Sequence, residues 1–219
     1  MKRSLFSLRG LSLVFLVGCY SMTQAKEKPN ILLIAVDDLR PQLGCYGQEE
    51  MISPNIDKLA TEGMRFTQAY APGSVCSPSR YALLTGAYPC RGPLRDKPAR
   101  YYTPLTISRD RLNWPQFMKQ QGYRTAHIGK WHLGFGDTTI MNWAGEIKPG
   151  ALEIGFDYHL GLPTNHSDNF KTYVENHRLL WLKESVTHLP GKPKREHWAK
   201  KPVNKNGHKN LVIFSRICI

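Results

Sequence analysis

Acidic residues are scarce in this chain, and no apolar run is long. It carries 17 Asp and Glu against 30 Lys and Arg, a formal charge of +13. An excess of that size suits a nucleic-acid partner in principle, but its placement argues against one. Residues 1–25 hold three basic side chains and no acidic one, and residues 183–219 hold nine basic against two acidic. Residues 26–182 hold 18 basic against 15 acidic, so the body is nearly neutral. Aromatic residues interleaved with basic ones, the mark of a strand-binding groove, are also missing. The apolar stretch Leu11 to Val17 is far shorter than the roughly 20 residues a bilayer needs, so no stable membrane span is expected. The five cysteines show no metal-ligand or disulfide spacing. Export would permit a disulfide, but Cys45 and Cys90 are expected as buried free thiols.

What is present suits one globular domain or a piece of a larger one: 219 residues, 41% apolar and 21% charged. Residues 1–25 read as a secretory signal, with Lys2, Arg3 and Arg9 before the apolar stretch and Thr23-Gln24-Ala25 as a small-residue cleavage site. An exported protein, periplasmic or extracellular, is therefore expected. Leu16-Val17-Gly18-Cys19 also resembles a lipobox, which would instead anchor the protein to a membrane through a lipidated Cys19.

Asn30 to Val36, introduced by Pro29, is a continuous apolar run rich in branched residues. It predicts a strand buried on both faces, as in a parallel sheet covered by helices. The run ends in Asp37-Asp38. Ligands of open α/β sheets sit beyond the carboxyl ends of the strands. Two adjacent carboxylates there repel each other and want a cation, and hard oxygen donors suit Ca²⁺ or Mg²⁺. A turn with one Asp capping a helix is the alternative reading. Ser53 to Gly63 predicts a helix, with Ser53 as cap, Pro54 as start, Ile56, Leu59 and Ala60 facing the core and Gly63 as stop. Met64 to Tyr70 alternates apolar and polar, as a half-buried strand or extended lead-in does.

Ser74 to Gly86 reads as a loop entering a helix, with Ser77 as N-cap, Pro78 in the first turn and Gly86 as left-handed close. Cys76 then sits at a helix mouth whose free N–H groups favour an anion. Arg80, one turn on, can aim a planar fork of donors at the same place. By residue type alone, Cys76 is more readily a small buried thiol than a functional group. Gly92 to Ile107, without periodicity, is expected as a surface loop. Its charges, with Arg91, could meet a polyanionic substrate or simply be solvated.

Leu112 to Gly122 predicts another helix, with its stop at Gly122, and Tyr123 to Gly129 a strand. Past that strand, Lys130 and His132 are two apart, so extended backbone sends both side chains to one side. An ammonium beside an imidazole makes an oxyanion clamp with a proton donor; plain exposure is the alternative. His127 is expected as a core or supporting histidine. The order strand, helix, strand, helix is that of a wound α/β domain.

Cys76-Ser77-Pro78-Ser79-Arg80, continuing as Tyr-Ala-Leu-Leu-Thr-Gly, resembles the signature of the type I sulfatases. Asp37-Asp38 at the end of the first strand and Gly129-Lys130-Trp131-His132-Leu133-Gly134 resemble two more motifs of that family, in its order. Gly155 to Gly161 and the hairpin-like Tyr173 to Leu179 add to the likeness, and His166 could be a substrate contact. The resemblance covers about residues 28–180. It implies an α/β, alkaline-phosphatase-like fold whose sheet is mixed or mostly parallel and flanked by helices, here incomplete. Residues 28–182 are expected to form the first part of the catalytic domain, followed by a basic, disordered or aberrant tail over 183–219.

The same resemblance implies that a formylglycine-generating enzyme reads Pro78 and Arg80 and oxidises Cys76. The formylglycine hydrate would be the nucleophile on a sulfate ester. Asp37, Asp38 and the modified Cys76 would hold Ca²⁺ or Mg²⁺, Arg80 and Lys130 would neutralise sulfate charge, and His132 would bind the hydrate or move a proton. The implied substrate is a sulfated sugar, with phosphate esters as a related class. The family's second metal pair and a further sulfate-contacting lysine have no candidate after residue 182. A truncated, inactive fragment is therefore the rival expectation.

Overall fold

The computed structural model describes residues 28–37, 39, 42–95, 97–165, 172–191, 194–199 and 217–218. The expected signal segment with Cys19, the second aspartate Asp38, His166 and most of the stretch beyond 199 lie outside the described residues. Contacts divide the chain into Met1–Asn30 and Ile31–Ile219, and all described elements lie in the second unit.

Strand β1 (Leu32–Leu33) is followed by helix α1 (Pro54–Glu62) and helix α2 (Cys76–Thr85). Helix α3 (Trp114–Gln120) leads into β2 (Ala126–Lys130), and β3 (Tyr158–Leu162) follows after an irregular crossover. The hairpin β4 (Val174–Glu175) and β5 (Arg178–Leu179) closes the body, and β6 is Ile217–Cys218. The main sheet has the order β2-β3-β4-β5 and is mixed. β2 and β3 are parallel with His127 opposite His159, while β3–β4 and β4–β5 are antiparallel. The parallel register is set where the pair begins. Asp157 accepts from the Thr125 N–H at 2.9 Å and from Lys119 Nζ of α3 at 2.7 Å, fastening the starts of β2 and β3 to the helix beside them.

The core is aromatic and lies around the β2–β3 pair. Trp131, Trp143, Phe135, Phe156, Ile147 and Ile154 are buried together with Leu84 of α2 and Met118 of α3. Full burial of each large apolar side chain contributes about 1.5–3 kcal/mol, so this cluster anchors the two helices on the sheet. α3 is held at its start by a capping box between Asn113 and Gln116, and Gly122 follows its end with φ of 82°.

Several expectations change. The run Asn30 to Val36 is buried on one face only: Ile31, Leu33 and Ala35 pack on the core, while Leu32, Ile34 and Val36 are exposed. Its partner is β6, in antiparallel register, so a two-faced parallel strand is not what these residues form. α1 occupies the expected span, but Ile56 and Leu59 are exposed and no residue of the helix is buried. Ser53 makes no side-chain cap; its hydroxyl donates to the Asp57 carboxylate and accepts from the Gly44 N–H. Met64 to Tyr70 is an exposed, irregular lead-in rather than a strand. Cys90 is a free thiol in an exposed turn and Cys45 is half-buried, so neither is the buried thiol expected. The boundary drawn at 182 falls inside packed chain. Leu189 is buried, Val186 and Trp198 pack on the core, and Leu182 bridges to Trp198.

Candidate active site

The Cys76 loop is built by side chains folding back onto their own backbone. Ser79 Oγ donates to the Gly73 carbonyl at 2.6 Å, and the Ser79 N–H donates to the Val75 carbonyl at 3.2 Å. α2 therefore starts at Cys76, two residues earlier than the sequence suggests, with Val75 as its extended N-cap. Ser77 is not the cap. It is fully buried, and its Oγ accepts from the Ala99 N–H at 2.9 Å, pinning the following loop to the helix mouth. Gly86 closes the helix in the left-handed conformation at φ 65°, as expected of a residue without a Cβ.

Three charged groups meet beside that mouth. Lys130 Nζ lies 2.5 Å from Asp37 Oδ2, and Arg80 Nη2 lies 3.7 Å from the same oxygen. Arg80 is buried, and its Nη1 donates to the Lys130 carbonyl at 2.5 Å. Its Nε is also buried and has no hydrogen-bond partner. Burial pushes the Asp37 carboxyl up, but the Lys130 hydrogen bond and the Lys130 and Arg80 charges outweigh it and hold the group below the usual carboxylate range. Burial draws the Arg80 guanidinium down, and the Asp37 charge opposes it; arginine stays charged throughout.

Asp37, Cys76, Ser79, Arg80 and Lys130 line one open cavity of about 1080 Å³. Sequence reasoning did not single out Asn165, Tyr70 or Tyr88, which line it too. No motif marks them; only the loop paths bring them there. His132 is not in that lining. β2 ends at Lys130, and His132 takes a left-handed φ of 57°, so strand alternation does not govern its direction. The ring is buried, with Nε2 2.8 Å from the Ala99 carbonyl, and it lies in electrostatic range of Asp37. Ala99 thus receives the helix mouth through its N–H and His132 through its carbonyl. Arg91, Arg95 and Arg100 are all exposed.

A hard divalent cation takes about six to eight oxygen ligands. Among the described residues, no group of three or more His, Cys, Asp or Glu side chains could hold one. Asp37 is the single carboxylate among the described residues of the cavity lining, and its Oδ2 already faces two cations. The described donors therefore do not make up a metal site, and the charge on Asp37 is balanced by Lys130 and Arg80.

A thiol at a helix mouth with a buried arginine and lysine beside it, in an α/β domain, is an arrangement that suits an anion. Comparison with known proteins agrees: the Sulfatase family matches residues 29–188, and this chain belongs to that family. It is 37% identical over 188 residues to an N-acetylgalactosamine-6-O-sulfatase of Bacteroides thetaiotaomicron, covering 83% of this chain and 36% of that protein. It is 41% identical over 143 residues to arylsulfatase A of Bos taurus, covering 65% of this chain and 27% of that one. A solved structure from work on multiple-glycosaminoglycan metabolism by Bacteroides thetaiotaomicron superposes with a TM-score of 0.69 at 38% identity, over 72% of this chain and 33% of that one. Another, in complex with its substrate D-glucosamine-2-N,6-O-disulfate, superposes at 0.54 with 30% identity, over 70% and 28%. The chain spans roughly a third of the length of these relatives.

Proposed function

We propose that this chain carries the nucleophile and sulfate-binding portion of a sulfuric ester hydrolase acting on sulfated carbohydrate. The observation that supports it most is the convergence of Asp37, Cys76, Arg80 and Lys130 on one cavity. The carbohydrate class rests on relatives named for a sulfated amino sugar and crystallised with one.

Cys76 is the residue to be oxidised to formylglycine, whose hydrate supplies one hydroxyl to attack sulfur and a second to release sulfate. The rest is done by this chain's other side chains. Arg80 presents its guanidinium, and Lys130 its ammonium, to sulfate oxygens whose charge grows in the transition state. In a partly enclosed cavity these donors act more strongly than in water. Asp37 holds Lys130 in place, and His132, outside the cavity lining with Nε2 on the Ala99 carbonyl, steadies the loop beside the helix mouth. No step is routed through a metal. The expected role of Asp37 with Asp38 as Ca²⁺ or Mg²⁺ ligands is part of this proposal only to the extent that added cation changes turnover.

The test is expression with a formylglycine-generating enzyme, mass spectrometry of the peptide carrying Cys76, and aryl sulfate hydrolysis with and without Ca²⁺. Sulfate release that Cys76→Ala abolishes supports the reading. Complete modification with no turnover and no sulfate binding overturns it.

A further inference from the structure

A second cavity, of about 290 Å³, adjoins the one that holds Cys76, and the mechanism above does not use it. The two share Pro72, Gly73, Ser74, Val75 and Tyr88, so the loop leading into Cys76 and the Tyr88 side chain border both. Arg95 is the one charged side chain among the described residues of its lining, and no carboxylate competes for it there. Arg91 and Arg100, the other exposed arginines of this stretch, line neither cavity.

The backbone at Arg95 is held, while its guanidinium is left to solvent. Leu94 is buried in the core, and its carbonyl accepts the Lys97 N–H at 2.8 Å, closing a turn with Arg95 at the second position. Arg95 has a left-handed φ of 48°, uncommon for a residue with a side chain. Further along, the Ala99 N–H is tied to Ser77 Oγ of α2 at 2.9 Å. One tie to the core and one to the helix that carries Cys76 thus place the turn relative to the nucleophile. The Arg95 side chain is exposed and makes no ion pair among the described residues. Its planar fork of donors matches the oxygens of a sulfate or a carboxylate.

We propose that the second cavity is a subsite in which Arg95 takes a second anionic group of the substrate, so that the chain favours a sugar with acidic substituents on two neighbouring rings over one with a single sulfate. This rests on the active-site reading for the first sulfate and adds the second contact. Tyr88, exposed and common to both cavities, offers its ring face to the C–H face of the sugar that joins the two groups. The small volume limits the subsite to one ring and its substituent.

The probes are inorganic sulfate and three disaccharides of one skeleton: singly sulfated, sulfated also on the neighbouring ring, and singly sulfated with a carboxylate on that ring. Calorimetric titration of the full chain should show the doubly charged sugars binding about three- to fivefold more tightly than the singly sulfated one, the range of an exposed charged contact. The margin should shrink as salt is raised, and whichever of sulfate and carboxylate gives the larger margin identifies the group. Arg95→Asn removes the charge with a residue that tolerates left-handed backbone; it should erase the margin, so that all three sugars bind alike. Lys130→Met should instead weaken every ligand, inorganic sulfate included. Equal binding of the three sugars by the wild-type chain, or a margin that survives in folded Arg95→Asn, overturns this inference alone. If neither inorganic sulfate nor any of the sugars binds, the active-site reading fails and the subsite fails with it.

Discussion

Asp37 shows how far a residue's neighbours can set its chemistry. One carboxylate oxygen receives Lys130 at 2.5 Å and Arg80 at 3.7 Å. Removing the nearer cation should be visible as a titration change: in Lys130→Met the Asp37 carboxyl is expected to titrate at higher pH than in wild type, followed by ¹³C NMR. An unchanged midpoint would mean that Lys130 does not hold it. The histidine pair makes a second residue-scale prediction. Burial, ahead of any neighbouring charge, pulls His127 well below 6.5 and His159 down to about 3. The unfolded chain therefore binds two protons that the folded chain refuses. Stability is full above about pH 6.5 and falls as pH drops below it, by about 1.4 kcal/mol per pH unit for each ring. The His159 contribution continues to decline down to about pH 3. Urea unfolding at pH 7, 6 and 5 should show the decline, and His159→Phe should lessen its slope. A flat profile would refute the burial argument.

At the scale of elements, α1 and α2 reverse what their sequences suggest. α1 has the apolar spacing of a core helix, yet Leu59 is 65% exposed. Leu59→Ser should change stability by no more than about 0.5 kcal/mol, where a core leucine would lose several. α2 has a serine that looks like a cap but works as an anchor. Ser77→Ala should cost about 2 kcal/mol by orphaning the buried Ala99 N–H, and roughly 4–8 °C in Tm for a domain of this size. Calorimetry distinguishes this from the few tenths that a surface serine would give. Sulfate binding should weaken in parallel, since Ala99 also receives His132.

For the whole molecule, the notable quantity is apolar surface left open. The outer face of β1 carries Leu32, Ile34 and Val36, and the stretch around α1 adds Ile52, Ile56, Leu59, Met64 and Phe66, all exposed. Contiguous apolar exposure beyond a few hundred Å² is unusual for a monomer. The folded protein should therefore bind the dye ANS at neutral pH while keeping the near-ultraviolet dichroism of its buried tryptophans. Dye binding no greater than that of a typical folded monomer would mean these faces are covered in solution.

Local chemistry was legible wherever a short stretch of chain suffices to specify it. The left-handed Gly86, the stop of α3 at Gly122, the span of α1 and the three motifs that assign the family all depend on neighbours a few residues apart. The Cys76 helix could be located for the same reason, although its first residue could not. Tertiary structure alone decided which faces are buried, because burial depends on what packs opposite: β1 lost one buried face and α1 lost its core. It also decided that Ser77 reaches Ala99, that His132 turns off the strand, that Asn165 enters the cavity, and that His127 meets His159. The Ser77–Ala99, His127–His159 and Ala99–His132 contacts join residues 22 to 33 positions apart, a separation over which composition and periodicity carry no geometric information.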